Sequence, residues 1–377
     1  MPSTSLSRRR TLRLFGSAAA SLALPAQAQA ERIVLGQSAA FTGPAAQLGI
    51  QMNRGARVLL DQVNASGGIG GRQIELRTLD DGYEPERCKA NTERFLRDGV
   101  FALFGYVGTP TCMAALPLVN EARTPFIGPF TGAEALRDPF SRYVFHVRAS
   151  YFDETALVVK NLTSLGLNRI AVFYQDDSYG MAGLTGVQRA LESRGLKPAA
   201  LGTVQRNSVD VAAAVKSIVA ARPQAVVQIS AYKSCAAFIR EARKAGFGGT
   251  FFNVSFVGTQ ALADELGREG QGVMISQVMP YPYSPAIAIC REYLDALKAA
   301  GGNAQPNYSS IEGYIAAKVL VEGLKRASKP TPDGLIAGLE SINTSFGGFN
   351  VVFGPRKHTA SSFVELSMLT ADGGVRR

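Results

Sequence analysis

From residue 33 onward, short apolar runs alternate with helical segments, and this alternation constrains the fold more than any other feature. Strands are expected over 33–39, 73–80, a central run starting at Val100, 125–129, 144–148, 169–174, 198–204, 225–230 and 250–255. Between them fall helical stretches near 50–64, 85–98, the segment ending at Glu121, 156–165, 184–193, 209–221 and 235–245. Strict alternation of elements this short implies an α/β fold: parallel sheets covered by helices on both faces, with ligands met outside the carboxyl ends of the strands. Beyond Met279 the pattern changes to helices near 285–300, 309–327 and 332–342, then two segments, 349–353 and 363–369, that read as edge strands or crossovers. With no close repeat and no flexible linker, two lobes joined by short crossings fit the chain better than separate beads.

The central run, Val100-Phe-Ala-Leu-Phe-Gly-Tyr-Val-Gly-Thr109, stops at glycines and hydroxyls before Pro110-Thr-Cys-Met-Ala-Ala-Leu116 turns helical. A buried strand feeding a helix N-terminus leaves backbone N–H groups pointing outward where the helix dipole favours an anion. Thr109 and Thr111 can add hydroxyl donors there. The same residues also serve a purely structural reading, in which Gly105, Gly108 and Pro110 shape a turn and Thr111 caps the helix.

Residues 1–30 carry the three parts of a secretory signal: a cationic head around Arg8, Arg9, Arg10 and Arg13, an apolar Ala-rich segment from Leu14 to Leu24, and a small-x-small site at Ala28-Gln-Ala30. The paired arginines also fit twin-arginine export, so both routes stay open. The apolar segment, broken by Pro25, is far shorter than the roughly 20 residues a membrane span needs. The mature chain is therefore expected outside the cytoplasm, with the signal removed. Four of the forty Lys and Arg lie in that segment, leaving 36 against 30 acidic residues. The excess is scattered and not interleaved with aromatics, which argues against nucleic acid as a partner.

The four cysteines of an exported chain are disulfide candidates with three possible pairings, and none are spaced closely enough for a metal site. Cys88 and Cys112 lie on helices that neighbour one another in a simple βαβ sheet, and Cys235 and Cys290 would share the other half or its border. An exported enzyme is the rival class. Its expected traces, a Gly-x-Ser-x-Gly elbow, a His-Glu-x-x-His helix or a phosphate loop, do not occur in the sequence. The two histidines, His146 and His358, give little material for a triad or a metal centre. No cofactor is expected.

Five segments in order carry a resemblance: Phe41-Thr-Gly-Pro-Ala-Ala-Gln-Leu-Gly49, Asn64-Ala-Ser-Gly-Gly-Ile-Gly-Gly-Arg72, Asp80-Asp81, Asp177-Ser-Tyr-Gly180 and Ile239-Arg-Glu-Ala-Arg-Lys-Ala-Gly246. Together they resemble the type I periplasmic solute-binding proteins of ABC importers, in the leucine/isoleucine/valine-binding class. The resemblance implies two doubly wound lobes that close on a solute by hinge bending, joined by crossings near Ala149, Met279 and Ala360. Lobe one would hold 31–149 and 280–360, and lobe two 150–279 and 361–377. It implies the periplasm as location, a small carboxylate-bearing solute, such as a branched-chain or related amino acid or an organic acid, a membrane ABC permease as partner, and a monomer. The same module presented to a membrane receptor as a sensor is the alternative.

Site residues carry over from the resemblance one by one. Thr109, beside Gly108, matches the carboxylate-binding hydroxyl. Pro129-Phe130-Thr131-Gly132 matches a Pro-x-x-Thr loop, with Gly132 where the Thr usually stands and Thr131 one residue early. Tyr179 and Tyr232 match aromatics of lobe two, and Tyr179 is expected on a loop at a strand end. Tyr106 and Phe130 replace different family residues and suggest a pocket shaped for another ligand. The acidic position that meets an amino-acid ammonium falls at Ser255, which is uncharged, and this departure speaks against an α-amino acid. Glu312 or Asp176 could supply that charge from elsewhere. The family's disulfide positions fall near Tyr83 and Gly108; Cys88 and Cys112, each about one turn onward, imply a relocated bridge.

Overall fold

The structure, a computed structural model, describes Met1 and residues 32–377. The export segment falls on residues outside those described. In chain order the elements are β1 (Ile33–Ala39), α1 (Ala46–Ala65), β2 (Ile74–Asp80), α2 (Pro85–Arg97), β3 (Ala102–Phe104), α3 (Thr109–Ala122), β4 (Phe126–Ile127) and β5 (Val144–Phe145). There follow α4 (Tyr151–Ser164), β6 (Ile170–Gln175), α5 (Ser178–Glu192), β7 (Leu201–Val204), α6 (Ala212–Ala220), β8 (Ala225–Ile229), α7 (Tyr232–Lys244), β9 (Thr250–Asn253), α8 (Thr259–Leu266) and β10 (Met274–Gln277). The chain ends with α9 (Ala288–Ala300), α10 (Tyr308–Arg326), α11 (Pro332–Glu340), β11 (Asn343–Phe346), β12 (Phe349–Val352), β13 (Glu365–Leu369) and β14 (Val375–Arg376).

These elements form two lobes. The first sheet has the order β2-β1-β3-β4-β5 and is parallel throughout. The second runs β14-β13-β10-β9-β8-β6-β7, parallel from β7 to β10, with β13 and β14 added antiparallel at one edge. Both sheets are therefore doubly wound in the same sense, reversing direction beside their first strand, and such switch points are where ligands bind in open α/β sheets. The interior strands are buried on both faces, as the runs AVVQI of β8 and ALF of β3 require.

The chain passes between the sheets three times: after β5, after β10 and before β13. Two of these crossings are hydrogen-bonded side by side. The His146 N–H donates to the His358 carbonyl at 2.7 Å, and the Ala360 N–H donates to the His146 carbonyl at 2.8 Å. Both histidines are committed to this structure. His146 Nε2 lies 3.0 Å from the Leu136 carbonyl, while His358 stacks on Phe145 with centroids 3.8 Å apart and reaches Glu340 at 3.2 Å. Burial holds both rings below the ordinary histidine range.

Several boundaries differ from the sequence reading for local reasons. Helix α5 starts at Ser178, because the Asp177 carboxylate accepts the Tyr179 and Gly180 N–H groups as an N-cap, so Tyr179 stands on the first helical turn and not on a loop. Strands β3, β4 and β5 are only two or three residues long. The segment 349–353 forms a hairpin with β11, a strand the alternation did not announce.

Helices α1 and α10 cross with their backbones almost touching. A Cβ on Gly55 would overlap the Ser310 carbonyl, and one on Gly313 would overlap that of Met52. Gly313→Val should therefore destabilise the protein by roughly 1–3 kcal/mol or more through overpacking, seen as a lower urea midpoint with an unchanged slope. A midpoint equal to wild type would show that the helices can separate at no cost.

Candidate functional site

The carboxyl ends of the two sheets face each other, and the segments that leave them converge. After β3 the chain turns at Gly108 (φ 103°), where a side chain would run into the Tyr83 ring. The ring thus fills the space at the two positions where the family's bridge would lie. Helix α3 begins at Thr109 with no side-chain cap, leaving its first N–H groups for an anion. Thr111 does not join them, since its hydroxyl donates to the Val107 and Gly108 carbonyls at 2.5 and 2.9 Å.

After β4, Phe130 and Thr131 turn toward the same point. The Thr131 and Thr109 hydroxyls are 2.6 Å apart, and the Tyr151 hydroxyl is 3.4 Å from Thr131. Gly132 is small because α4 starts against it: a Cβ there would come within 2.7 Å of the Tyr151 nitrogen. Four rings from both lobes meet beside this hydroxyl group. Phe256 is their centre, with centroids 4.6 Å from Tyr179, 5.6 Å from Phe130 and 5.9 Å from Tyr83. Tyr151 lies 5.5 Å from Tyr179, whose own buried hydroxyl has no hydrogen-bond partner.

Of the charged part of the site the sequence offered only Glu312; Arg148 and Glu154 were not legible in it. Arg148, two residues past His146 on the first crossing, is fully buried with its guanidinium 4.7 Å from the Phe130 centroid. It donates to the Ser255 hydroxyl, and its Nε is 3.5 Å from Glu312. Its Nη1 is buried without a hydrogen-bond partner. Ser255 donates in turn to Glu154, through its N–H at 2.7 Å and its hydroxyl at 3.0 Å, and Ser276 completes that carboxylate at 2.6 Å. The uncharged residue at the family's acidic position therefore has a carboxylate immediately behind it.

The pattern of the family described as "Periplasmic binding protein" matches residues 32–373. The chain belongs to this family. Among the curated members is the leucine-, isoleucine-, valine-, threonine- and alanine-binding protein of Pseudomonas aeruginosa, 23% identical over 334 residues and covering 88% of each chain. A solved structure described as a possible leucine/isoleucine/valine-binding protein from Rhodopirellula baltica is 34% identical, with a TM-score of 0.89 over 92% of this chain and 96% of the other. The fold alone is shared with a fatty acid ABC transporter substrate-binding protein from Thermomonospora curvata, at 21% identity and a TM-score of 0.83 over 92% and 90%. The relatives are binding proteins rather than enzymes. Among the described residues, no helix of this periplasmic binding protein is long and apolar enough to cross a membrane.

Against that background the structure groups Gly108, Thr109, Phe130, Thr131, Tyr179 and Ser255. Tyr232 stands at the rim, its hydroxyl 3.5 Å from the Gln47 N–H across the gap between the lobes. Tyr106 is elsewhere, because Gly105 (φ 61°) breaks the alternation of β3 and puts Tyr106 on the face of Leu103 rather than that of Phe104. There it accepts from the Thr92 hydroxyl at 3.1 Å and packs edge-on to Phe126 in a separate apolar cluster. Cys88 and Cys112 belong to that cluster, as free thiols. Cys235 and Cys290 are also free thiols, and the expected bridges are not formed in this structure. Asp176 is exposed and receives a bond from Gln205 at 2.9 Å, so of the two substitute carboxylates only Glu312 reaches the site.

Burial raises the Glu312 carboxyl to about 7, with Arg148 opposing the rise and Glu154 adding to it. Burial also raises Glu154, against Arg148 and its three hydrogen bonds. Burial lowers Arg148, but the two carboxylates more than offset this and hold it above its usual range. Because the folded value of Glu312 exceeds its ordinary 4.5, the stability linked to its neutral form is complete below about pH 4.5 and is lost as the pH rises to about 7. Glu312→Gln should flatten that loss, by about 3 kcal/mol at most. Urea unfolding at pH 4.5, 6 and 7.5 measures it, and parallel curves for variant and wild type would place the Glu312 ionisation elsewhere.

Proposed function

We propose that the protein is the extracytoplasmic solute-binding component of an ABC importer, exported by its amino-terminal signal, and that its two lobes close on an α-amino acid with an apolar side chain. The observation that carries this reading is the charge set of the site: one buried guanidinium, Arg148, between two buried carboxylates, Glu154 and Glu312. With all three ionised this set holds one net negative charge, which the neighbouring Arg137, bonded to the Arg148 carbonyl, offsets only in part, and a buried charge needs a partner. A zwitterion supplies it. Its carboxylate takes the α3 N-terminus with the Thr109 and Thr131 hydroxyls, its ammonium takes Glu312, and its side chain lies among Phe130, Tyr179 and Phe256. Glu154, already saturated by Ser255 and Ser276, holds Arg148 in place. Support also comes from the Pseudomonas aeruginosa relative, whose name gives leucine, isoleucine, valine, threonine and alanine as its ligands.

Occupancy of both lobes by one solute would shift the population toward the closed form, which the permease is expected to recognise. No step of this cycle changes a covalent bond.

Calorimetric titration with L-leucine and with 4-methylpentanoate, the same chain without the amine, tests the assignment. Leucine should bind and the plain acid should not. Leucine affinity should fall by up to roughly ten-fold per unit below the Glu312 value of about 7, because the ammonium needs the ionised carboxylate. A plain acid that binds, and binds more tightly as the pH falls, would overturn the ammonium assignment. Thr109→Val should cost roughly 1.5–3 kcal/mol of leucine affinity by removing a charge-assisted hydrogen bond; equal affinity in the variant would take Thr109 out of the site.

A further inference from the structure

At the sheet edges opposite the crossings, the two lobes touch through polar side chains that border the solute site at Tyr83. The turn after β2 (Gly82, Tyr83, Glu84) belongs to lobe one, and the turn after β7 (Gln205, Arg206, Asn207) to lobe two. Arg206 spans the gap with one end of its guanidinium, Nη2 lying 3.0 Å from Glu84, and is anchored within its own lobe by the other, Nη1 lying 3.1 Å from Asp177. Asn207 adopts a left-handed backbone (φ 60°), which Asn tolerates better than most residues, and its Nδ2 donates to the Gly82 carbonyl at 3.0 Å and to Glu84 at 2.7 Å. Gln175 closes the circuit, donating to the Tyr83 hydroxyl at 3.2 Å and to Asp177 at 2.6 Å.

This circuit is connected to the solute site at Asp177. One Asp177 oxygen takes Arg206 and Gln175, and the other caps α5 by accepting the Tyr179 and Gly180 N–H groups. Tyr179 is the ring that stands against Phe256. A group that orients Asp177 therefore orients the first turn of α5 and the aromatic wall it carries.

We propose that Arg206 and Asn207 are positioning residues: they clasp the 82–84 turn to hold the lobes together, and through Asp177 they set the place of Tyr179. The proposal rests on the reading of the protein as a two-lobed solute binder, but the clasp acts whether or not a solute is present. Its ion pair is accessible to solvent, with the Glu84 side chain 42% exposed and that of Arg206 23%. Salt therefore screens it, and its share of the closed state is modest.

The test uses the purified protein without added solute. Small-angle X-ray scattering is recorded at 20 mM and 500 mM NaCl for wild type, Glu84→Gln and Asn207→Ala. Arg32→Gln is the control, since it removes a comparably exposed pair with Glu75 at the far end of the same sheet. Wild type should expand on going to high salt. Glu84→Gln should already be expanded at low salt, with an open population roughly two- to five-fold higher, and Asn207→Ala should behave likewise. Arg32→Gln should follow wild type. Hydrogen exchange by mass spectrometry should quicken in the clasp variants at both 82–84 and 178–182, a coupling that simple loss of a surface contact would not produce. Scattering curves that coincide for all four proteins would overturn the clasp, and faster exchange at 82–84 alone would overturn the link to Tyr179. The wild-type salt comparison needs no variant, so a substitution that unfolds the chain leaves the test intact. A failed leucine titration would not alter these results, and unmoved scattering would leave the solute assignment standing.

Discussion

A guanidinium removed from water requires negative charge close by, and in this protein that requirement organises the space between the lobes. Arg148 stands on a crossing, so it belongs to neither sheet, and its two carboxylates come from different elements: Glu154 from α4 and Glu312 from α10. Helix α10 is itself pressed onto α1 at glycines so tightly that the position of Glu312 is inherited from backbone packing. The electrostatics of the site therefore depend on the close contact of two helices that carry no ligand residue at the point where they touch.

The hydroxyl side of the site is built differently. Thr109, Thr131 and Tyr151 come from consecutive strand ends of the first lobe and the helix that follows the crossing, and they are neutral. Neutral donors beside an uncapped helix start can meet a carboxylate, and behind them Arg137 adds a cation that donates to the Thr131, Arg148 and Ala149 carbonyls. One end of the site is thus prepared with dipoles and the other with paired charges. The aromatic wall between them is centred on Phe256.

The parts of this arrangement that the sequence disclosed are those set by local pattern. Alternation gave the doubly wound sheets, and Gly108 followed by Thr109 marked the strand-to-helix junction. The parts it concealed are those set by contact over long separations. Arg148 sits in an extended apolar stretch with no periodic signal, and its partner Glu312 is 164 positions further along, where spacing carries no information. Ser255 read as a missing charge because the carboxylate behind it, Glu154, comes from another element. Tyr106 misled for a simpler reason: the left-handed Gly105 breaks the two-residue alternation, so Tyr106 lies with Leu103 in the cluster that also holds residues of α2 and α3. The start of α5 was hidden by a residue that suits turns and caps equally, Asp177.

The first and third crossings, bonded to each other through His146, His358 and Ala360, behave as one stiff strap and not as two independent strings. If the lobes close as proposed, a strap along one side favours a single rotation, about an axis near the strap. Displacements about such an axis grow with distance from it. Arg148, beside the strap, would then be displaced little, while groups at the opposite sheet edges would swing through the widest arc. The contacts nearest the axis can therefore stay dry and unchanged through opening, and the weak, wet contacts farthest from it act with the greatest mechanical advantage.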